Sequence, residues 1–149
     1  MILIITISVL FLDQLTKFLA IKLLQLNTPV ALIKNFLYLT LVHNRGAAFG
    51  MFKNQLLMFI LVSIFAIVII FYYLKDKNHS IFAAISLSLI LAGAIGNLID
   101  RLRFGFVIDF LDFRVWPVFN LADSAITIAA VLLTWELLFK GGSVKKNAA

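Results

Sequence analysis

Apolar residues fall in four long runs, and polar residues collect in short places between them. The runs are Met1 to about Leu24, Leu56–Leu74, Ile81 to about Ile99, and about Ala122 to Phe139. About 20 residues of helix cross the hydrocarbon core of a bilayer, and each run reaches or approaches that length. The pattern predicts four transmembrane helices. The first run differs from a cleavable secretory signal. No basic residue precedes its apolar stretch, Asp13 interrupts it, and no small-x-small site follows it cleanly. It is expected to stay as a membrane helix.

The connections differ in kind. Lys75–Ser80 is a short polar turn, so helices two and three should form an antiparallel hairpin. Gln25–Gln55 is long. Within it Phe36, Tyr38, Thr40 and Val42 alternate with Leu37, Leu39 and Leu41, a period-two run that is apolar on both faces. It predicts a small sheet lying half in the interface, closed by the turn Asn44-Arg45-Gly46 and placed over the mouth of any site beneath. The second long connection, Asp100–Leu121, also carries β-branched and aromatic residues, with Pro117 as a breaker. The expected architecture is an all-α membrane protein: a single domain over residues 1–149, with four transmembrane helices and a small extracytoplasmic β-sheet cradle between helices one and two.

Composition strengthens this picture. Hydrophobic residues make up 63% of the chain and charged residues 13%. A soluble domain has about 45–50% and ~25%. A protein of this size cannot hide so much apolar surface from water. There are no cysteines, which excludes disulfides, zinc–thiolate sites, iron–sulfur clusters and a thiol nucleophile. The net charge of +6 comes from basic residues dispersed between apolar runs. Anionic membrane lipid is the simpler partner for them, and no nucleic acid is expected. Basic residues are densest in the Lys75–Ser80 turn and the Lys140–Ala149 tail. The positive-inside rule puts these, and both termini, in the cytoplasm.

Polar groups in or beside membrane spans are costly and are the first candidates for function. Asp13 and Lys17 are four apart on one helix face, the acid first, which suits a structural ion pair. Asp13 lies near mid-bilayer, and Lys17 is expected to snorkel toward the outer face. Asp100, Asp109 and Asp123 all gather at one membrane face. Two carboxylates held close in a low dielectric share a proton, so that one can act as base on water while the other hydrogen-bonds a carbonyl oxygen. That is aspartic-protease chemistry. Structural readings stand beside it: Asn120 with Asp123 fits a helix N-cap followed by an acid, and Asp100 beside Arg101 fits an acid held by neighbouring donors. Oxygen-only metal coordination is a further option, but His43 and His79 are far from the acids in sequence. Ala92-Gly93-Ala94-Ile95-Gly96 gives helix three a small-residue face, suited to close helix packing or to a groove for a peptide backbone. Residues alone leave open which two of the three Asp would form a pair. A small transporter with buried acids along an ion path, and a scaffold protein, are the competing classes.

Four motifs occur in order between the spans: Asp13-Gln14-x-x-Lys17; Asn44-x-Gly46-Ala47-Ala48-Phe49-Gly50; Gly96-Asn97-x-x-Asp100-Arg101 continuing to Gly105-x-Val107-x-Asp109-Phe110; and Phe119-Asn120-x-Ala122-Asp123-Ser124. Together they resemble the lipoprotein signal peptidases, also called signal peptidase II. The resemblance implies a bacterial inner-membrane aspartic endopeptidase. It would cut the signal peptide from prolipoproteins just before a diacylglyceryl-modified cysteine, without metal or cofactor. It also implies Asp109 and Asp123 as the catalytic pair, and Asn97, Asp100, Arg101 and Asn120 as supporting residues. Asp100 and Arg101 would organise a polar floor, and Asn97 and Arg101 would hold substrate backbone. Asn120 would orient Asp123 or the substrate. Asn44 to Ala48, Gly46 included, would belong to a substrate-cradling extracytoplasmic sheet. The expected partners are the diacylglyceryl-prolipoprotein, membrane lipid and the inhibitor globomycin, with the protein acting as a monomer.

Overall fold

A computed structural model of the chain describes residues 1–46, 55–75 and 79–140. Their order is α1 (Ile2–Leu23), β1 (Val30–Ile33), β2 (Leu37–Asn44), α2 (Leu56–Leu74), α3 (Ile81–Phe104), β3 (Val107–Asp112) and α4 (Leu121–Lys140). The four helices are long and apolar enough to cross a membrane. The protein is a multi-pass membrane protein, as the apolar runs predict. Ala47, Ala48, Phe49 and Gly50 of the second motif lie outside the described residues, as do the centre of the Lys75–Ser80 turn and the basic tail.

α3 is the central helix. It packs against α1, α2 and α4, and half of its spanning window is buried, against 6% for α2. Small residues permit this. Ala84, Ser86, Ser88, Ala92, Gly93, Ala94 and Gly96 form most of its buried stripe. A Cβ at Gly93 would stand 2.6 Å from the carbonyl oxygen of Ala122, so α4 passes in backbone contact with α3. The small-residue face is therefore filled by a helix of the same chain. Outward-facing side chains such as Leu3, Phe11, Phe65 and Val68 are exposed, as lipid-facing positions should be.

α3 runs further than the apolar pattern indicates, to Phe104 rather than to about Ile99. Its start is capped by Ser80, whose hydroxyl accepts from the Ala83 N–H at 3.0 Å. Its end is Gly105 in the left-handed region (φ +78°), whose N–H reaches back to Arg101 O at 3.0 Å. That conformation suits glycine and turns the chain directly into β3. Asp100 therefore sits one turn inside the helix end.

The sheet has three antiparallel strands in the order β1-β2-β3. The expected cradle between the first two helices is present, and the α3–α4 connection adds its third strand. The reversal inside the sheet is at Lys34–Phe36, with Asn35 at φ 64° and Phe36 N–H bonded to Ile33 O at 3.0 Å. Asn44-Arg45-Gly46, expected to be that turn, instead follows the end of β2 next to the site. Strand alternation divides β3: Ile108 and Phe110 pack with Leu41 and Ala20 in a small core at the end of α1. Asp109, between them, points the other way.

Candidate active site

Five elements converge on one polar cluster. α1 brings Asp13, Gln14 and Lys17, and α3 brings Asn97, Asp100 and Arg101. β2 supplies Asn44, β3 supplies Asp109, and the start of α4 supplies Asn120 and Asp123. Lys17 is 1% exposed, so it does not snorkel outward. Its Nζ lies 3.0 Å from Asp13 Oδ2, 2.8 Å from Asp100 Oδ2 and 2.9 Å from Asn97 Oδ1. The ion pair read from i,i+4 spacing is present, and Asp100 makes it a triad across two helices.

Each acid of that triad is held by further donors. Asp13 Oδ1 accepts from the Ala122 N–H at 2.9 Å, so a residue of α1 satisfies an otherwise open donor in the first turn of α4. Asp100 Oδ2 accepts from the Ile108 N–H at 3.1 Å and ties β3 to α3. Gln14 Nε2 reaches both acids at 3.2 Å. A Cβ at Gly96 would meet Asp13 Oδ2 at 2.4 Å. The glycine is what lets this carboxylate stand against α3.

The remaining two acids are joined through a pair of carboxamides. Asn120 Nδ2 donates to Asp109 Oδ1 at 2.7 Å and to Asn97 Oδ1 at 3.2 Å. Asn97 Nδ2 donates to Asp123 Oδ1 at 2.8 Å. Asn120 Oδ1 also accepts from the Asp123 N–H at 2.9 Å, which is the helix cap expected for α4. Asn120 orients Asp109 through its amide, where the sequence pattern suggests Asp123 or the substrate. Asn97, expected to hold substrate backbone, turns its side chain to Lys17, Asn120 and Asp123. Asn44, expected in a substrate cradle, donates from Nδ2 to Asp109 Oδ2 at 2.8 Å and accepts the Gly46 N–H at 2.9 Å.

Asp109 is 1% exposed, and Asp123 is half-buried on the wall of a cavity of about 260 Å³. Asn44, Gly46, Asn97, Arg101 and Phe119 also line that cavity. Burial, and then the neighbouring charge of Asp123, push the Asp109 carboxyl up to about 7. The amides of Asn44 and Asn120 and the charge of Lys17 oppose the rise. Arg101 stacks over the Phe59 ring, 4.9 Å from its centroid. It thus brings a cation from α3 to the cavity wall with an aromatic support on α2. His43, distant from the acids in sequence, pairs with Ile108 next to Asp109, but its ring stacks on Phe106 at 4.0 Å.

The model of the family described as "Signal peptidase (SPase) II" matches residues 5–139. The chain belongs to the signal peptidase II family. The lipoprotein signal peptidase of Caldanaerobacter subterraneus subsp. tengcongensis is 49% identical over 136 residues, covering 90% of this chain and 93% of that protein. The lipoprotein signal peptidase of Moorella thermoacetica is 46% identical over 143 residues and 94% of both chains. A bacterial membrane enzyme solved by the in meso method at 2.3 Å resolution superposes with a TM-score of 0.90 at 33% identity, covering 99% of this chain and 93% of that one.

For a signal peptidase II, the transporter and scaffold readings fall away. The deep acid Asp13, the candidate for an ion path, is tied to Lys17, Gln14 and α4 instead. Gln14 is the one residue of the cluster to which the sequence reading assigns no role. Its signal is its place beside Asp13 inside the first motif.

Proposed function

We propose that the chain is an aspartic endopeptidase whose reacting pair is Asp109 and Asp123. Family membership makes it a peptidase of prolipoprotein signal peptides, and the catalytic type is our reading. The observation that carries it is the amide bridge from Asp109 through Asn120 and Asn97 to Asp123 at the cavity wall. Asp123 stands on the wall of that cavity with Arg101, and the two amides hold Asp109, on another element, in fixed orientation behind it. The pair shares one proton, and its titration belongs to both members. Burial, and then the charge of Asp123, push the Asp109 carboxyl of that pair up to about 7.

The ionised carboxylate takes a proton from water as the water oxygen attacks the scissile carbonyl carbon. The protonated carboxyl gives its proton to the carbonyl oxygen, leaving a neutral tetrahedral diol. Collapse breaks the C–N bond as the protonated carboxyl gives its proton to the leaving nitrogen and the other carboxylate takes a proton from one hydroxyl of the diol. No metal or cofactor takes part. Arg101 on the cavity wall binds substrate carbonyls, Asp13 with Lys17 forms a structural ion pair on α1, and the bridge from Lys17 to Asp100 fixes α1 to α3.

The substrate is the diacylglyceryl-modified prolipoprotein, cut just before the lipid-bearing cysteine. The protein works as a monomer in the bacterial cytoplasmic membrane, with both termini in the cytoplasm and the dyad toward the extracytoplasmic face. Globomycin should occupy the same cavity. The test is to incubate purified protein with the diacylglyceryl and the unmodified prolipoprotein, with and without EDTA, and to identify products by mass spectrometry. Signal peptide released only from the lipid-modified form, in both buffers, is expected. Cleavage that needs a restored metal would overturn the aspartic reading.

A further inference from the structure

An ammonium has three N–H donors and no acceptor. Lys17 has three partners within hydrogen-bond distance, so every donor is used. Two of those bonds go to carboxylates and serve charge balance. The third goes to Asn97 Oδ1, a neutral amide oxygen, and its consequence is one of direction. The two ends of a carboxamide are nearly equal in size, and only hydrogen-bond partners decide which way round it sits. Nζ of Lys17 and Nδ2 of Asn120 both donate to the same side of Asn97. The reverse orientation would set an NH₂ against two donors. Nδ2 of Asn97 is thereby turned to Asp123. Asn120 is itself fixed by its cap bond to the Asp123 N–H.

We infer that Lys17 is a positioning residue for the peptidase reaction: through Nζ it locks the Asn97 carboxamide so that its NH₂ donates to Asp123. The inference rests on Asp109 and Asp123 being the reacting pair, and it goes beyond the ion pair with Asp13. Without Lys17, the Asn97 oxygen keeps only the longer bond from Asn120, and the carboxamide is held less firmly in this orientation. The donor to Asp123 is then less well fixed, and the ionised form of Asp123 loses part of its support. The other charged groups facing Asp123 are Asp13 on α1, Arg101 on α3 and Asp109 on β3. None of them is a donor to the Asn97 side-chain oxygen among the described residues.

Lys17→Met alone would strand two buried carboxylates, so the test is the charge-balanced double variant Asp13→Asn with Lys17→Met. It removes one charge of each sign and the donor to Asn97. Turnover of lipid-modified prolipoprotein is measured across pH, with Asp109→Asn and Asn97→Leu beside it. A loss in kcat of about 10–100-fold is expected, the range typical when an outer partner of a reacting group is removed. KM should change little, and the limb of the pH profile that reports ionisation of the pair should move to higher pH. Combined with Asn97→Leu, the double variant should lose nothing further, because the amide it orients is gone. A kcat at the level of the unsubstituted protein, or losses that multiply with Asn97→Leu, would overturn the inference. Should the double variant fail to fold, Asn97→Asp makes the same test. Its carboxylate accepts from Lys17 and Asn120 but offers Asp123 no donor. Unchanged kcat and pH profile there would overturn the inference. An active Asp109→Asn would instead remove the dyad reading, and the inference with it. An inactive Asp109→Asn beside an unaffected double variant removes the inference alone.

Discussion

The side-chain amide of Asn120 donates to Asp109 Oδ1 at 2.7 Å while its own oxygen caps the first turn of α4. One residue thus places the start of a membrane helix and the carboxyl of a neighbouring strand. The two duties separate under substitution. Asn120→Asp keeps an oxygen for the cap but puts a second carboxylate against Asp109. Because Asn120 is fully buried, that carboxylate is expected to lower the unfolding temperature as well, with kcat strongly reduced and the pH optimum moved upward. Asn120→Ala loses both, and should cost about 1 kcal/mol of stability from the cap in addition to kcat. Thermal unfolding in detergent, with a pH–rate profile, checks both. An Asn120→Asp protein with an unchanged optimum would break the link between Asn120 and Asp109.

Asp109 also predicts how stability varies with pH. Its folded-state value of about 7 lies above its ordinary value of 3.8. Between about pH 4 and pH 7 the folded state therefore holds more protons than the unfolded state, and stability falls as pH rises. The loss is complete above about pH 7. Relative to Asp109→Asn, the unsubstituted protein should lose thermal stability over that window and run parallel outside it. Melting curves of both proteins across pH 4–9 make the comparison. A constant difference would mean that Asp109 is not shifted.

Much of the architecture is readable from the chain, and what is not readable has physical causes. The four apolar runs mark the spans because lipid demands length and apolarity and little else. The α4 cap is visible because Asn120 precedes Asp123 by three residues. The end of α3 is not visible from hydropathy. Hydrogen bonding continues to Gly105 after the apolar run stops, and only the αL glycine ends it. β3 is hidden because its pairing partner, β2, lies more than sixty residues earlier, and local periodicity carries no such information. The burial of Lys17 is missed for a similar reason. Spacing on α1 finds Asp13, but Asp100 and Asn97 arrive from another helix.

The triad on Lys17 makes its two acids unequal to their cation. Lys17→Ala leaves both Asp13 and Asp100 without it, whereas Asp13→Ala still leaves Lys17 with Asp100. Breaking a buried pair from one side costs about 3–5 kcal/mol. Lys17→Ala should therefore destabilise more than Asp13→Ala, and the double variant should recover part of the loss. A double-mutant cycle on thermal stability in detergent measures the coupling. Simple additivity would contradict the ion-pair account.

The close approach of helices is tested at two glycines. Gly96→Ala would place a methyl group 2.4 Å from Asp13 Oδ2 and push that carboxylate off Lys17. Gly93→Ala would meet the Ala122 backbone oxygen at 2.6 Å, which cannot rotate away. Each should cost about 1–3 kcal/mol as overpacking. Both proteins should also lose turnover per folded molecule, since Asp123 follows directly after Ala122. Unchanged melting temperatures would show that α3 and α4 are not in the contact described.

The central claim is that Asp109 and Asp123 together perform the cleavage. Its most direct test is single-turnover cleavage of a diacylglyceryl-modified prolipoprotein by purified Asp109→Asn and Asp123→Asn proteins, each first verified as folded by its melting transition. Each substitution keeps size and most hydrogen bonding but removes the exchangeable carboxyl proton. Each should slow release of the signal peptide by at least about 10²–10⁴-fold, the range carried by one acid–base group. Cleavage by either variant within a few-fold of the unsubstituted rate would contradict the account.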